Sequence, residues 1–312
     1  MNSQHHHHED HNQVLEVLSN LEKLWNTRAM VHNGDVNQKI AFDASKPDFK
    51  ENLLPFCNHD SWKQADPALK AAVLSYGWII YNQKTINIES KLITPVCDLL
   101  IEGAYPGSQS PIIQNVISQA LVDEAFHTLL SVQGINIVYR ERQIQRVSMP
   151  QFELINQLHR LLDNCQTSDE QKLIRLAVAT ASETLITDYL SDLANDREIQ
   201  PLCYESVAAH AADEWSHASV FSYTMAEIYH SLSEKHQRFY LNALPAAIAS
   251  FGDSEWDVWA QVLEQIGFPN YKQMLLESKE ETDSGIEVDL KGVSKLLGSL
   301  GIDESEVNQI AA

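Results

Sequence analysis

Apolar positions recur every three or four residues along almost the whole chain, the period of helices that bury one face. Residues 13–30 read as an amphipathic helix with Leu15, Val17, Leu18, Leu21 and Leu24 on its apolar stripe. Residues 31 to about 66 interrupt the period with Asn33-Gly34, Pro47 and Pro55. A long helix is predicted from Pro67, a favoured first-turn residue, through Glu89 toward Glu102, with Pro95 kinking or ending it. The next opens after Ser110-Pro111 and runs to about Gln133, where Gly134 is the expected stop. Residues 135–139 then stand open to an extended conformation. Further helices are expected near 151–165, 168–195, 201–230, 233–250 and 254–266. Ser168-Asp169-Glu170-Gln171 reads as a capping box for the second of these. Residues 277–284 look like a charged loop, and 288–299 and 303–311 are short helical candidates. Nothing alternates as a strand would. The fold class is predicted all-α.

The polar positions carry more information than the apolar ones. Glu89 is followed 35 residues later by Glu124-Ala125-Phe126-His127, and Glu183 is followed 31 residues later by Glu214-Trp215-Ser216-His217. The halves are offset by about 90 residues (124 to 214), and each Glu-x-x-His follows an Asp, Asp123 or Asp213. At about 100° per residue, Glu124 and His127 share one helical face, and His210, Glu214 and His217 share a single stripe. Glu89 and Glu183 lie mid-helix among Ile86, Ile88 and Leu92, and among Ala181, Leu185 and Ile186. Carboxylates in apolar stripes are costly to bury unless paired or bound to metal. Two helix pairs, each with one Glu and one Glu-x-x-His, form the dinuclear carboxylate plan of a four-helix bundle. Mixed oxygen and imidazole donors suit iron or manganese better than zinc. Asp123 and Asp213 are expected to accept the outer ring N–H of the ligating histidines. A lone Glu-x-x-His is usually an ordinary helix face; two at matched spacing are not.

Composition narrows the setting. With 22 Lys plus Arg against 43 Asp plus Glu in 312 residues, the formal charge is −21. That disfavours both nucleic acid and an anionic membrane surface. No apolar run approaches the roughly 18 residues of a membrane span. Cys57, Cys97, Cys165 and Cys203 are scattered without paired spacing, which points to a reducing, cytoplasmic address. The His-rich start reads as a disordered tail over 1–12, followed by one domain over 13–280 and a helical extension over 281–312.

Glu89, Glu124, His127, Glu183, His210, Glu214 and His217 resemble the seven-ligand set of the p-aminobenzoate N-oxygenase family, the ferritin-like di-iron arylamine oxygenases. The more specific mark is His-x3-Glu-x2-His, formed by His210, Glu214 and His217; in the other half Ala120 stands where His210 does. The resemblance covers about residues 70–270. It implies a ferritin-like four-helix bundle with flanking helices, two iron ions, and His210 as the seventh ligand. It also implies dioxygen as co-substrate and oxygen transfer from a peroxo-diferric species to an amine nitrogen. The products would be hydroxylamine, nitroso or nitro compounds, in secondary-metabolite or antibiotic biosynthesis, with a homodimer expected.

No Gly-rich strand-turn-helix fingerprint for a flavin or nicotinamide is present, so electrons are expected from an external donor. Tyr81 and Thr85 lie eight and four residues before Glu89 on nearly the same face and are candidates to line the substrate pocket, with core packing as the alternative. Beyond Arg238 the only basic residues are Lys272, Lys279, Lys291 and Lys295. A benzoate carboxylate in a dry pocket calls for a cation, best an Arg. The family would place one in the C-terminal part, where Lys272, beside Tyr271 and Gln273, reads as a surface residue. The expected substrate is therefore not free p-aminobenzoate but an amine with a neutral or masked acid, aliphatic or carrier-tethered forms included. The competing functions are a C–H hydroxylase or desaturase acting on a carrier-bound chain, which His210 disfavours, and a non-catalytic ferritin-like iron protein, which the chain length disfavours.

Overall fold

Helix α1 (Asn2–Arg28) opens the computed structural model, which describes residues 2–34, 36–283 and 294–302. It starts before the predicted Gln13. Once the 13–28 stretch is helical, each added residue gains a hydrogen bond without a new nucleation cost. Leu18 is buried, whereas Leu24, expected on the same stripe, is exposed; Trp25 turns inward in its place. The turn-rich 31–66 segment contains short 3₁₀ turns and α2 (Asp60–Lys63). It is fastened by Arg142, which donates to both carboxylate oxygens of buried Asp48 at 2.9 Å.

Helix α3 (Pro67–Ile88) begins as expected: the Asp66 side chain accepts from Ala68 N and Pro67 occupies the first turn. Pro95 neither ends nor breaks it. A single π turn, Glu89–Ile93, leads into α4 (Thr94–Ile101), with Thr94 N–H donating to Glu89 O. Proline lacks the N–H that the next helical bond would need, and the wider turn takes up the mismatch. Glu89 is the first residue of that turn.

Helix α5 (Pro111–Arg142) passes straight through Gly134 and residues 135–139. A Cβ at Gly134 would lie 3.2 Å from the Trp78 ring, so this glycine lets α5 approach α3 instead of stopping it. The actual stop is Gln143, which takes the left-handed conformation at φ 53°.

The remaining helices are α6 (Glu153–Asp163), α7 (Ser168–Ala194), α8 (Pro201–Ser231), α9 (Glu234–Phe251), α10 (Trp256–Gln265), α11 (Tyr271–Asp283) and α12 (Ser294–Ser299). The cap of α7 is Thr167, whose hydroxyl accepts from Glu170 N, one residue before the expected Ser168. Residues 277–283, read as a loop, continue α11; charge on an exposed helical face was mistaken for loop character. The 303–311 candidate and residues 288–293 lie outside the described residues.

Among the described residues the regular elements are helical, and no helix is long and apolar enough to cross a membrane. Helices α3, α5, α7 and α8 pack around a common interior, with α1 laid against α5 and α8, and α9 against α7. One hydrophobic core runs from Leu18 to Leu300 and includes fully buried Trp62, Trp78, Ile93 and Phe221. That core is interrupted by acids and histidines at mid-height.

Candidate metal centre

Four helices each bring a carboxylate to that interruption: Glu89 at the α3–α4 π turn, Glu124 on α5, Glu183 on α7 and Glu214 on α8. All four are buried, as are His127, His210 and His217. Burying so many ionisable groups in one place is prohibitive without compensating charge.

The distances show how tightly they converge. His127 Nδ1 lies 3.1 Å from Glu124 Oε2 and 3.2 Å from Glu214 Oε1. His217 Nδ1 lies 2.9 Å from Glu124 Oε1, 3.4 Å from Glu214 Oε1 and 3.8 Å from Glu183 Oε2. His210 Nε2 sits 3.0 Å from Glu214 Oε1 and 3.5 Å from Glu89 Oε1, with its ring centroid 4.0 Å from that of His127. Three overlapping groups have donor atoms close enough to share an ion. They are Glu89, His127, His210 and Glu214; then Glu124, His127, Glu214 and His217; and lastly Glu89, Glu124 and Glu183. All seven residues expected from the sequence are thus brought together.

The two aspartates act across the repeat rather than within it. His127 Nε2 pairs with Asp213 Oδ2 at 3.2 Å, and His217 Nε2 pairs with Asp123 Oδ2 at 3.2 Å. Each half therefore orients the other's imidazole, leaving Nδ1 turned toward the carboxylates. Asp123 Oδ2 also accepts from Trp25 Nε1 at 2.8 Å, and Asp213 Oδ1 from Met30 N at 3.0 Å. Trp25 and the Met30 amide escaped the sequence reading. Nothing local marks them, because they meet the aspartates only across a separation of 98 and 183 residues.

Electrostatics describe a cluster built for added positive charge. Burial, reinforced by the charges of Glu124 and Glu214, pushes Glu89 well above the usual carboxylate range; burial with Glu214 and Glu124 does the same to Glu183. For Glu124 burial is outweighed by His217 and by hydrogen bonds from His127 and His217, which hold it down to about 2. Glu214 is held low by the same two histidines and His210. Against the cost of burial, His127 and His217 are raised well above the normal imidazole value by the surrounding carboxylates, whereas burial and His127 lower His210. Both oxygens of Glu89, Oε2 of Glu183 and Oε2 of Glu214 are buried without a hydrogen-bond partner. Such orphaned acceptors are expensive unless something else occupies their lone pairs, and divalent ions fit them.

A second feature lies alongside. Tyr81 and Thr85, the two pocket candidates, line a cavity of about 360 Å³ together with Phe49, Ile88 from α3, Ile186 from α7 and Trp259 from α10. The sequence reading missed Lys84 in the same wall, and Glu255, which pairs with it at 3.3 Å. Lys272 is exposed on α11, in keeping with the surface position expected of it.

Among the described residues, a helical bundle gathers four glutamates and three histidines from four helices, which defines the class of bundles with a buried carboxylate–histidine cluster compatible with a metal site. More narrowly, the chain belongs to the p-aminobenzoate N-oxygenase AurF family, whose model matches residues 11–301. It is also similar to the 4-aminobenzoate N-oxygenase of Streptomyces thioluteus, with 30% identity over 297 residues, 93% of this chain and 87% of that protein. The chain is accordingly an enzyme, an arylamine N-oxygenase among the monooxygenases.

Proposed function

We propose that this N-oxygenase holds two iron ions through Glu89, Glu124, His127, Glu183, His210, Glu214 and His217, and uses dioxygen to oxidise an amine nitrogen to the hydroxylamine, nitroso or nitro level. The observation that carries the reading is the convergence of these seven buried side chains with orphaned carboxylate oxygens. Bound there, the ions would supply dioxygen activation. The chain's own residues do the rest. Asp123 and Asp213 fix the ring orientation of His217 and His127, and the surrounding helices exclude water from the cluster. Tyr81 and Thr85 form part of the wall against which the amine is placed. Oxygen and imidazole donors favour iron over zinc, and among the described residues no thiolate joins the cluster.

His210 separates this reading from a C–H hydroxylase or desaturase on a carrier-bound chain, and from ferritin-like iron binding without catalysis. It touches Glu89 and Glu214 from within the cluster, while the corresponding Ala120 brings nothing. The reading extends to a ferritin-like bundle working in the cytoplasm, supported by four free cysteines. It further includes an external electron donor, a role in secondary-metabolite or antibiotic biosynthesis, and a homodimer, for which Val122, Leu129 and Trp215 offer exposed apolar surface.

Loading the protein with Fe(II), mixing it with oxygen and a panel of aromatic and aliphatic amines, and analysing products by mass spectrometry tests the proposal. About two irons per chain and oxygenated nitrogen products are expected. Iron uptake without any N-oxygenated product would leave the storage reading standing instead.

A further inference from the structure

The cavity beside the cluster has an electrostatic character of its own. Its wall includes residues of the two helices that lead to Glu89 and Glu183. Thr85 is one turn, about 6 Å of helix axis, before Glu89, and Ile186 lies about 4.5 Å beyond Glu183. Its size falls in the range that holds one small organic molecule. Phe49, Tyr81, Phe251 and Trp259 give it aromatic walls. Among the described residues that line it, the charged groups are Lys84, Asp253 and Glu255, one cation against two acids.

The single cation is already engaged. An ammonium has three N–H donors. Lys84 Nζ donates to Phe251 O at 3.2 Å and to Asp253 O at 2.9 Å, and forms an ion pair with Glu255 Oε1 at 3.3 Å. Glu255 is held in place at some cost. Its backbone is left-handed at φ 56° and ψ 48°, rare for a residue with a side chain. Its N–H donates to Asp253 Oδ1 at 2.6 Å and its Oε2 accepts from Glu153 N at 2.6 Å, leaving Oε1 turned to Lys84. Burial raises the Glu255 carboxyl, and Lys84 works against that rise. Among the described residues that line the cavity, a strained, buried acid thus faces the one cation.

Resting on the N-oxygenase reading above, we infer that the Lys84–Glu255 pair sets substrate class, selecting arylamines whose distal end is uncharged and rejecting those with a free carboxylate. An entering carboxylate would find the ammonium already ion-paired with Glu255 and would face Asp253 and Glu255 as like charges. An amide, ester or hydroxyl at the same place loses less, because it brings no charge to desolvate. Specificity then comes from what the wall refuses as much as from what it binds.

The test compares acid and amide on the iron-loaded protein. Dissociation constants are measured for 4-nitrobenzamide and 4-nitrobenzoate, which need no turnover, and kcat/KM for 4-aminobenzamide and 4-aminobenzoate. The amide is expected to bind at least tenfold more tightly than the acid and to have at least tenfold the kcat/KM. Glu255→Gln, which removes one acid and leaves Lys84 under-paired, is expected to narrow that ratio at least threefold, and Lys84→Met to widen it. An acid that binds and turns over as well as the amide in the wild-type protein, with Lys84→Met removing that ability, overturns the inference. The wild-type ratios decide the matter even if a variant folds poorly. Nitro compounds that bind in the expected order, with neither amine oxidised, would sink the N-oxygenase chemistry and leave the specificity intact; preferred oxidation of the acid would do the reverse.

Discussion

The α3–α5 half and the α7–α8 half of the metal centre are built to one pattern and differ at three places. Glu89 stands on a π turn, whereas Glu183 stands within the uninterrupted α7. Ala120 of α5 corresponds to His210 of α8, and only the histidine enters the cluster. Asp123 takes its extra hydrogen bond from an indole, Trp25, and Asp213 from a backbone amide, Met30. The shared features make a symmetric frame: four carboxylates, two Asp–His pairs, each aspartate serving the opposite half. The differences are where the halves have taken separate tasks. His210 and the π turn give the two ends of that frame unlike surroundings.

The largest expected effect comes from removing the frame itself. Glu124 and Glu214 each contact both His127 and His217, so neither half is complete without the other's glutamate. Glu124→Ala and Glu214→Ala are each expected to lose at least one of the two irons and all N-oxygenation, measured by metal analysis and product assay. Full loading in both variants would undo the assignment.

Next in size is the asymmetry. His210→Ala makes the second half resemble the first. The fold and most of the iron are expected to remain, because the carboxylates and the two Asp-paired histidines are untouched, while product formation falls by more than about tenfold. Normal product yield with normal iron would return His210 to a core histidine bonded to Glu214 and no more.

The crossed aspartates come third. Asp213→Asn replaces a carboxylate whose two oxygens serve different donors with a group whose NH2 must face one of them, and Asp123→Asn removes the charge from the oxygen that Trp25 and His217 share. Outer partners of metal-ligating histidines are typically worth about 10–100-fold in metal affinity. Competition with a chelator of known affinity should show a loss of that order for each. A loss confined to one of them would show that the crossing is only structural on the other side.

How much of this the sequence carried depends on the range of the interaction. Glu-x-x-His and His-x3-Glu-x2-His are local, so helical geometry alone placed the ligands of α5 and α8 on one face. The upstream Glu89 and Glu183 needed only the repeat. The π turn at Glu89 was not legible, since Pro95 marks a break in the hydrogen-bond ladder without saying how the chain will absorb it. Trp25, Lys84 and Glu255 were missed for a different reason. Trp25 meets its partner 98 residues away, and Glu255 meets Lys84 through an unusual backbone conformation that no propensity scale favours. Gly134 was misread because a glycine in a helix signals either a stop or a close approach, and only the partner helix tells them apart.

That glycine supplies the smallest expected effect and a last contrast between the halves. Counting 90 residues on from Gly134 leads to Thr224, a buried position on α8 with a full side chain, so the glycine has no counterpart in the second half. In an exposed helix Gly→Ala would stabilise by up to about 1 kcal/mol. Here the added methyl would lie 3.2 Å from the Trp78 ring, tighter than normal van der Waals contact. The outcome turns on whether that ring can yield. Trp78 is completely buried and stacked on Tyr81 with ring centroids 5.7 Å apart, so it has nowhere to go without disturbing the cavity wall that Tyr81 forms. Overpacking of this kind costs about 1–3 kcal/mol and exceeds the helix gain. Gly134→Ala should therefore lower stability by about 1 kcal/mol, a fall of about 2 °C in the thermal midpoint for a chain of this size. It should also weaken amine binding through Tyr81 without changing iron content. A rise in midpoint would show that α5 and α3 can separate at no cost, and that the close approach at Gly134 is not needed to shape the cavity.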